Sequence, residues 1–239
     1  MDTSLIFRLP NRSLPSEEEQ LRDLWKVALL LEPCGLPLTK WYPPADTPEN
    51  SLLNEAFDAN GPTTAALAVL RAQEQTDSVG GLRITGVWNG KEDDGAAVMT
   101  SSLSVLEGNP ICSFKLGTKG VEALHNREQA LTVLKGLLAI WPALAMEFGP
   151  YKYFSMQQVF PNKPGAGWML YLPREIEATQ LPEAHELVPV MEGRTQKGTI
   201  IVSVADEAFS ADNPEHVKVA NAIEVRLADQ GLLPRYADL

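Results

Sequence analysis

The side chains able to do chemistry are few and widely separated in this 239-residue chain. Its histidines are His125, His185 and His216, and its cysteines are Cys34 and Cys112. No spacing among them matches a zinc site, which needs four ligands in recognisable groups. The glycine-rich phosphate loop, the nucleophile elbow and the HExxH helix are also missing from the sequence. We therefore predict no catalytic residue, no metal ion and no cofactor, and we expect both thiols to be reduced and buried.

The most concentrated acidic group after the glutamate run that starts at Glu17 is Glu92, Asp93 and Asp94. It lies in a polar stretch from Asn89 to Gly95, which is typical of a turn between two strands. The alternating acid spacing of a calcium loop is absent, and one short cluster supplies too few ligands for that ion. Two interpretations remain, a solvated turn and an acidic contact for a partner.

Two tryptophans accompany this turn as candidates for a partner-binding role. Trp88 directly precedes the turn, and Trp41 lies in the proline-rich segment 36–62, where the prolines exclude a regular interior element. Aromatic residues in loops either hold the loop against the core or anchor a partner. For Trp88 the structural alternative is a place in the core of a strand. The candidate partner-binding residues are Glu92, Asp93, Asp94, Trp88 and Trp41.

The overall charge excludes one class of partner and allows another. The chain has 31 acidic and 20 basic residues, for a net charge of −11, and the excess is spread along the sequence. Without a basic footprint, direct nucleic-acid binding is not expected, whereas a basic protein partner is compatible with this charge. The chain has no secretory signal pattern and no apolar run near the roughly 20 residues of a spanning helix. We therefore expect a cytoplasmic protein that does not bind membranes.

These residues must be positioned by a mixture of helices and strands. Ser16 and Glu19 form a capping-box pattern at the start of the first helix, and Asn213 and Pro214 mark the start of the last one, with Gly231 at its end. Further helices are predicted over 63–75 and 126–148. The predicted strands cover 4–9, 82–88, 96–106, 111–116, 151–160, 167–172, 187–191 and 199–204, with a turn at 108–110 before the third strand of a central meander.

This pattern predicts an α+β fold with a mixed or antiparallel sheet covered by helices. We expect one domain over residues 1–239. Two lobes, about 1–125 and 126–239, are the alternative, because each half has strands and helices of its own.

Several segments resemble the immunity protein 52 family. They are FPNKPGAGWMLYLP (160–173), LPEAHELVPV (181–190), GTIIVS (198–203), NPEHVKVANAIEVRLADQGLLP (213–234) and, upstream, ITGVWNGKEDDGA (84–96). The resemblance covers most of the chain and is weakest across residues 36–62. It implies an α+β protein of the bacterial polymorphic-toxin and type VI secretion systems, encoded near its toxin.

The resemblance also implies a function. Such a protein would neutralise a cognate toxin in the producing cell without catalysis of its own, and the toxin that the resemblance implies is a nuclease with a restriction-endonuclease fold. An acidic antidote can cover the positive cleft that a nuclease presents to DNA, with charge setting fast encounter and buried aromatics slow release. The alternatives are an adaptor or chaperone-like scaffold for a secreted effector, without inhibitory activity, and an enzyme that needs no partner. Monomer and homodimer both remain open.

Overall fold

The computed structural model describes residues 1–11, 13–77, 80–108 and 110–239, so Asn109 of the predicted turn lies outside the described residues. These residues form six α-helices: α1 Glu17–Leu31, α2 Pro48–Ser51, α3 Thr64–Asp77, α4 Arg127–Ile140, α5 Tyr151–Met156 and α6 Pro214–Asp229. They also form ten strands: β1 Asp2–Phe7, β2 Phe57–Asp58, β3 Gly61–Pro62, β4 Leu82–Trp88, β5 Ala96–Ser104, β6 Cys112–Lys119, β7 Ala143–Gly149, β8 Met169–Leu172, β9 Glu186–Glu192 and β10 Thr195–Val202. Among these helices none has the length and apolar character needed to cross a membrane.

The chain divides into two compact units. The N-terminal unit contains Arg8–Leu124 and Gln129–Pro142, and the C-terminal unit contains Met1–Phe7, His125–Glu128 and Ala143–Leu239. In the N-terminal unit β4, β5 and β6 pair in that order, and in the C-terminal unit the order is β1-β7-β8-β10-β9. The pairs within both units are antiparallel, which confirms the α+β prediction and selects the antiparallel alternative. That the whole chain acts as one domain stays a prediction.

In the N-terminal unit the meander and the capped helix α1 are as the sequence pattern predicts, whereas segment 36–62, predicted to be irregular, contains the short elements α2, β2 and β3. The three strands of the meander follow the predicted bounds closely, and one face of β5 is buried through Ala97, Met99, Ser101 and Leu103. The helix α1 begins at the predicted capping box, in which the Glu19 amide donates to Ser16 Oγ at 3.2 Å and Glu19 Oε2 accepts from the Ser16 amide at 2.8 Å. Both cysteines belong to this unit and are buried, and burial raises the pKa of each thiol.

The predicted helix over 126–148 is wrong in its second half. The helix α4 ends at Ile140, and Ala143–Gly149 is the strand β7, which pairs with β1 and β8. Pro142 stops the helix because it has no amide hydrogen and its ring clashes with the preceding turn. Nearly every residue of β7 is buried, so the strand has no polar face and its sequence resembles that of a buried helix.

The predicted strand over 151–160 is also wrong. Residues Tyr151–Met156 form the short helix α5, which starts directly after Pro150. The aromatic residues here favour a strand by intrinsic preference, but this preference is weak beside tertiary packing. Tyr153 is completely buried, and its ring packs edge-on against Phe209 with a centroid distance of 5.3 Å.

The helix α6 at the end of the chain is as predicted, and β10 overlaps the predicted strand 199–204 but begins earlier, at Thr195, and ends at Val202. The side chain of Asn213 accepts from the Glu215 amide at 3.0 Å and so caps the helix, which begins at Pro214. The helix buries Ala220, Ile223 and Leu227, and also the acidic residue Glu224, whose side chain is fully inaccessible. A carboxylate in such a position must find hydrogen-bond donors within the protein.

The donors to Glu224 are the hydroxyl of Tyr153 in α5 and backbone amides of the loop that follows α5. Glu224 Oε1 accepts from the Tyr153 hydroxyl at 2.6 Å and from the Ala166 amide at 2.9 Å, while Oε2 accepts from the Val159 amide at 2.8 Å. A second buried carboxylate, Glu147 on β7, accepts from the Gly165 amide at 2.6 Å. The irregular segment 157–167 is therefore held between α6 and β7, because Glu224 and Glu147 each accept hydrogen bonds from different backbone amides of the segment.

We predict that Glu224→Gln lowers the stability of the protein. A glutamine can offer one acceptor oxygen to these donors, and its NH₂ group would face a backbone amide that then has no acceptor. Each buried donor left unsatisfied costs about 1–3 kcal/mol. The variant should therefore lose about 2 kcal/mol or more of unfolding free energy in urea titrations. The control Asp229→Asn changes an exposed acid on the same helix and should stay within about 0.5 kcal/mol of the wild type.

A second prediction concerns the pH dependence of this difference. Burial raises the pKa of Glu224, although hydrogen bonds from Tyr153, Ala166 and Val159 act in the opposite direction. When the pKa of a group is higher in the folded than in the unfolded protein, its contribution to the unfolding free energy is complete below the unfolded pKa, here about 4.5. That contribution is lost as the pH rises through the folded pKa. The wild type should therefore lose stability relative to Glu224→Gln as the pH rises from about 4.5. A constant difference between the two proteins would contradict the shift.

Candidate partner-binding site

The acidic turn is the tip of the hairpin between β4 and β5, and its base is held by one buried asparagine. Asn89 Nδ2 donates to the Gly95 carbonyl at 2.6 Å, and Asn89 Oδ1 accepts from the Ala97 amide at 2.9 Å. Gly90 and Gly95 both have positive φ angles, of 73° and 80°, which glycine adopts without strain. The side chain of Asn89 thus closes the loop on itself and fixes the direction of the tip.

The three acidic residues of the tip are exposed to solvent. Asp93 Oδ1 lies 3.2 Å from Lys119 Nζ, and both of these side chains are largely exposed. Such a surface pair contributes little to stability, so it leaves the charge of the tip accessible to other groups. The structure therefore places Glu92, Asp93 and Asp94 together on the surface, as the sequence predicted for a turn. That a partner binds there stays a prediction.

Trp88 lies beside this tip and is only partly buried. Its indole Nε1 donates to Ser51 Oγ at 2.6 Å, and Ser51 Oγ donates in turn to the Pro43 carbonyl at 2.5 Å. Its backbone exchanges two hydrogen bonds with Tyr42, at 2.8 and 3.1 Å. Trp88 thus attaches the proline-rich segment to the hairpin, while part of its ring stays open to solvent.

Trp41 has a different environment from the one a partner contact would need. Its side chain is completely buried in the N-terminal unit, and its carbonyl accepts from the Ala56 amide at 2.7 Å. Trp41 is therefore a core residue, and the prediction of an exposed aromatic at this position is wrong. The burial agrees with the alternative that Trp41 holds its loop against the core. Of the two tryptophans, only Trp88 has surface available to a partner in this structure.

The structure adds two residues that the sequence did not single out. Leu52 and Leu53 follow α2 and are 45% and 74% exposed. Leu52 lies next to the hairpin, because a side chain added at Gly90 would come within 2.8 Å of Leu52 Cδ2. The available signal was a pair of leucines in an otherwise polar, proline-rich segment, which is unusual for a solvated loop.

The histidines do not form a comparable site. His216 Nδ1 accepts from the Ser210 amide at 3.0 Å, and its Nε2 lies 3.1 Å from Glu207 Oε1. His185 lines a cleft of about 580 Å³ in the C-terminal unit, together with neutral residues and Glu186. Over the part of the chain that the structure describes, no group of three or more His, Cys, Asp or Glu side chains is placed to hold a metal ion.

These features define an acidic α+β protein with an ordered, partly apolar surface at one hairpin. The sequence matches the family described as immunity protein 52 across residues 15–235, so the chain belongs to this family. Its fold is similar to that of a solved structure titled Pseudomonas aeruginosa T6SS protein PA0821, with a TM-score of 0.55 and 14% sequence identity, over 93% of this chain and 75% of that chain. A comparison with curated protein sequences gives no match.

We predict that Asn89→Ala loosens the acidic tip. The substitution leaves the Ala97 amide and the Gly95 carbonyl without their partner, which costs about 1–3 kcal/mol where the groups are buried. Unfolding free energy should fall by about this amount, and amide exchange at Ala97 should accelerate. Asn54→Ala, at an exposed position in the N-terminal unit, is the control and should behave as the wild type. Unchanged exchange at Ala97 would contradict the role given to Asn89.

Proposed function

We propose that this protein is a cytoplasmic immunity protein that binds and neutralises a cognate type VI secretion toxin encoded nearby, and that this toxin is a nuclease. Membership of the immunity protein 52 family, over residues 15–235, carries the proposal. The likeness of the fold to that of a T6SS protein is consistent with it. A binding function needs no catalytic residue in this chain and protects the producing cell and its kin by occupying the toxin.

Charge supplies the physical reason for proposing a nuclease. A nuclease that cleaves DNA presents a positive surface to the phosphate backbone. This chain carries a net charge of −11, so a long-range attraction would bring the two proteins together. The proposed inhibitory contact combines Glu92, Asp93 and Asp94 with the exposed part of Trp88, because these acidic groups and this aromatic ring share one end of the hairpin.

To test the function, the purified protein is mixed with the purified toxin product of the neighbouring gene. Binding and DNA cleavage are measured in the same samples. Tight binding with loss of cleavage supports the proposal. Tight binding with cleavage intact favours the adaptor or scaffold. If the two proteins do not bind, the proposed function is wrong.

We predict that reversing the three charges, with Glu92→Lys, Asp93→Lys and Asp94→Lys together, slows association. The association rate at low salt should fall about tenfold or more, and its dependence on ionic strength should weaken, because the steering field at the contact is removed. Stopped-flow measurements over a salt series report both quantities.

The matched control reverses three exposed acids of the C-terminal unit, with Glu175→Lys, Asp206→Lys and Asp229→Lys. It changes the net charge by the same amount, so a general charge effect would slow both variants equally. A rate that falls only for the tip variant assigns the effect to the hairpin. Equal rates for the two variants would remove the tip from the contact.

A further inference from the structure

The exposed leucine pair has the features of an anchor for a protein partner. We call Leu52 and Leu53 the leucine tip. Leu53 has 74% of its surface accessible, so most of it is not buried in its own unit. Leu52 is 45% exposed and lies close to the hairpin at Gly90. Adjacent exposed leucines are apolar surface that a partner can remove from water.

The backbone of the leucine tip is held by hydrogen bonds of the residues before it. The side chain of Thr47 caps α2 by accepting from the Asn50 amide at 3.2 Å. Ser51 is buried and joins this helix to Trp88 and Pro43 through its hydroxyl. The Leu52 and Leu53 amides donate to the carbonyls of Pro48 and Asn50, at 3.1 and 3.3 Å. An anchor fixed before binding loses little conformational entropy when it binds, which favours affinity.

The chain on both sides of the leucine tip is acidic in sequence. The segment from Trp41 to Leu70 contains four acidic residues and no lysine or arginine. All four are exposed: Asp46, Glu49, Glu55 and Asp58. The contact between Leu52 and Gly90 brings the acidic hairpin turn to the same place. Apolar residues inside a charged rim are the usual anatomy of a protein interface.

We propose that the leucine tip inserts into an apolar depression of the toxin that is bordered by basic residues. This inference rests on the proposed function and names the anchor of that contact. Charge complementarity selects this occupant, because the acidic rim would repel a second copy of the same surface. The acids around the tip set the rate of encounter, and burial of the two leucines sets the rate of dissociation.

The test uses the full-length protein and the purified toxin product of the neighbouring gene. The variants are Leu53→Asp and the double substitution Leu52→Ala with Leu53→Ala. Each should raise the dissociation constant at least about tenfold, mainly through faster dissociation, because loss of a buried anchor acts on the bound state. The control is Tyr151→Ala with Met156→Ala, which removes two apolar side chains of the C-terminal unit that are 70% and 79% exposed.

The outcomes separate this inference from the function on which it rests. Weaker binding by both leucine variants, with unchanged thermal unfolding and a control that binds as the wild type, supports it. If both leucine variants bind the toxin as tightly as the wild type does, the leucine tip is not the anchor, and the proposed function is unaffected. Failure of the wild type to bind overturns both. A wild-type homodimer that dissociates in the leucine variants, as measured by sedimentation, would assign the tip to a second copy and also overturn the inference.

Discussion

The buried carboxylate of Glu224 is the constraint on which the C-terminal unit depends. An ionisable group without solvent contact is tolerated only when hydrogen bonds replace the water it has lost. Here the replacement comes from the Tyr153 hydroxyl and from backbone amides of the loop 157–167, so the loop must follow a path that aims those amides at α6. Burial and the carboxylate together raise the pKa of Tyr153, which keeps its hydroxyl proton available for donation. The backbone path of this irregular loop is thus fixed as firmly as that of a helix or a strand.

This constraint explains what the family segments of the C-terminal unit do. The run FPNKPGAGWMLYLP contains the loop whose amides approach the two buried carboxylates, and the run that begins at Asn213 contains the helix cap and Glu224. These segments therefore contribute to the fold of the C-terminal unit. Segment 36–62 contains the leucine tip and four exposed acidic residues. A protein that must match a particular partner can change such a surface without disturbing the buried network.

The N-terminal unit presents that surface through a small number of polar contacts. Asn89 closes the hairpin turn, and the Trp88 indole reaches the buried Ser51 hydroxyl, so the turn and the proline-rich segment are fixed to each other. Exposed acids then lie beside exposed leucines without a basic residue between Trp41 and Leu70. In the proposed contact, charge would speed the encounter at long range and burial of apolar side chains would slow dissociation.

The sequence by itself determined the antiparallel meander, both capped helices and the exposure of the acidic turn, because these depend on local signals such as Asn89-Gly90, Ser16 with Glu19, and Asn213 with Pro214. Its family resemblance also identified the class of protein. Only the tertiary structure decided that Ala143–Gly149 is a strand, since nearly complete burial removes the periodicity that separates a strand from a helix. It also decided that Tyr151–Met156 is a helix, because the preference of aromatic residues for strands is weak beside tertiary packing. It also decided that Trp41 is buried, that Leu53 is exposed and that Glu224, an acid on the apolar face of its helix, binds a distant loop. Such contacts join residues far apart in the chain, and no local pattern records them.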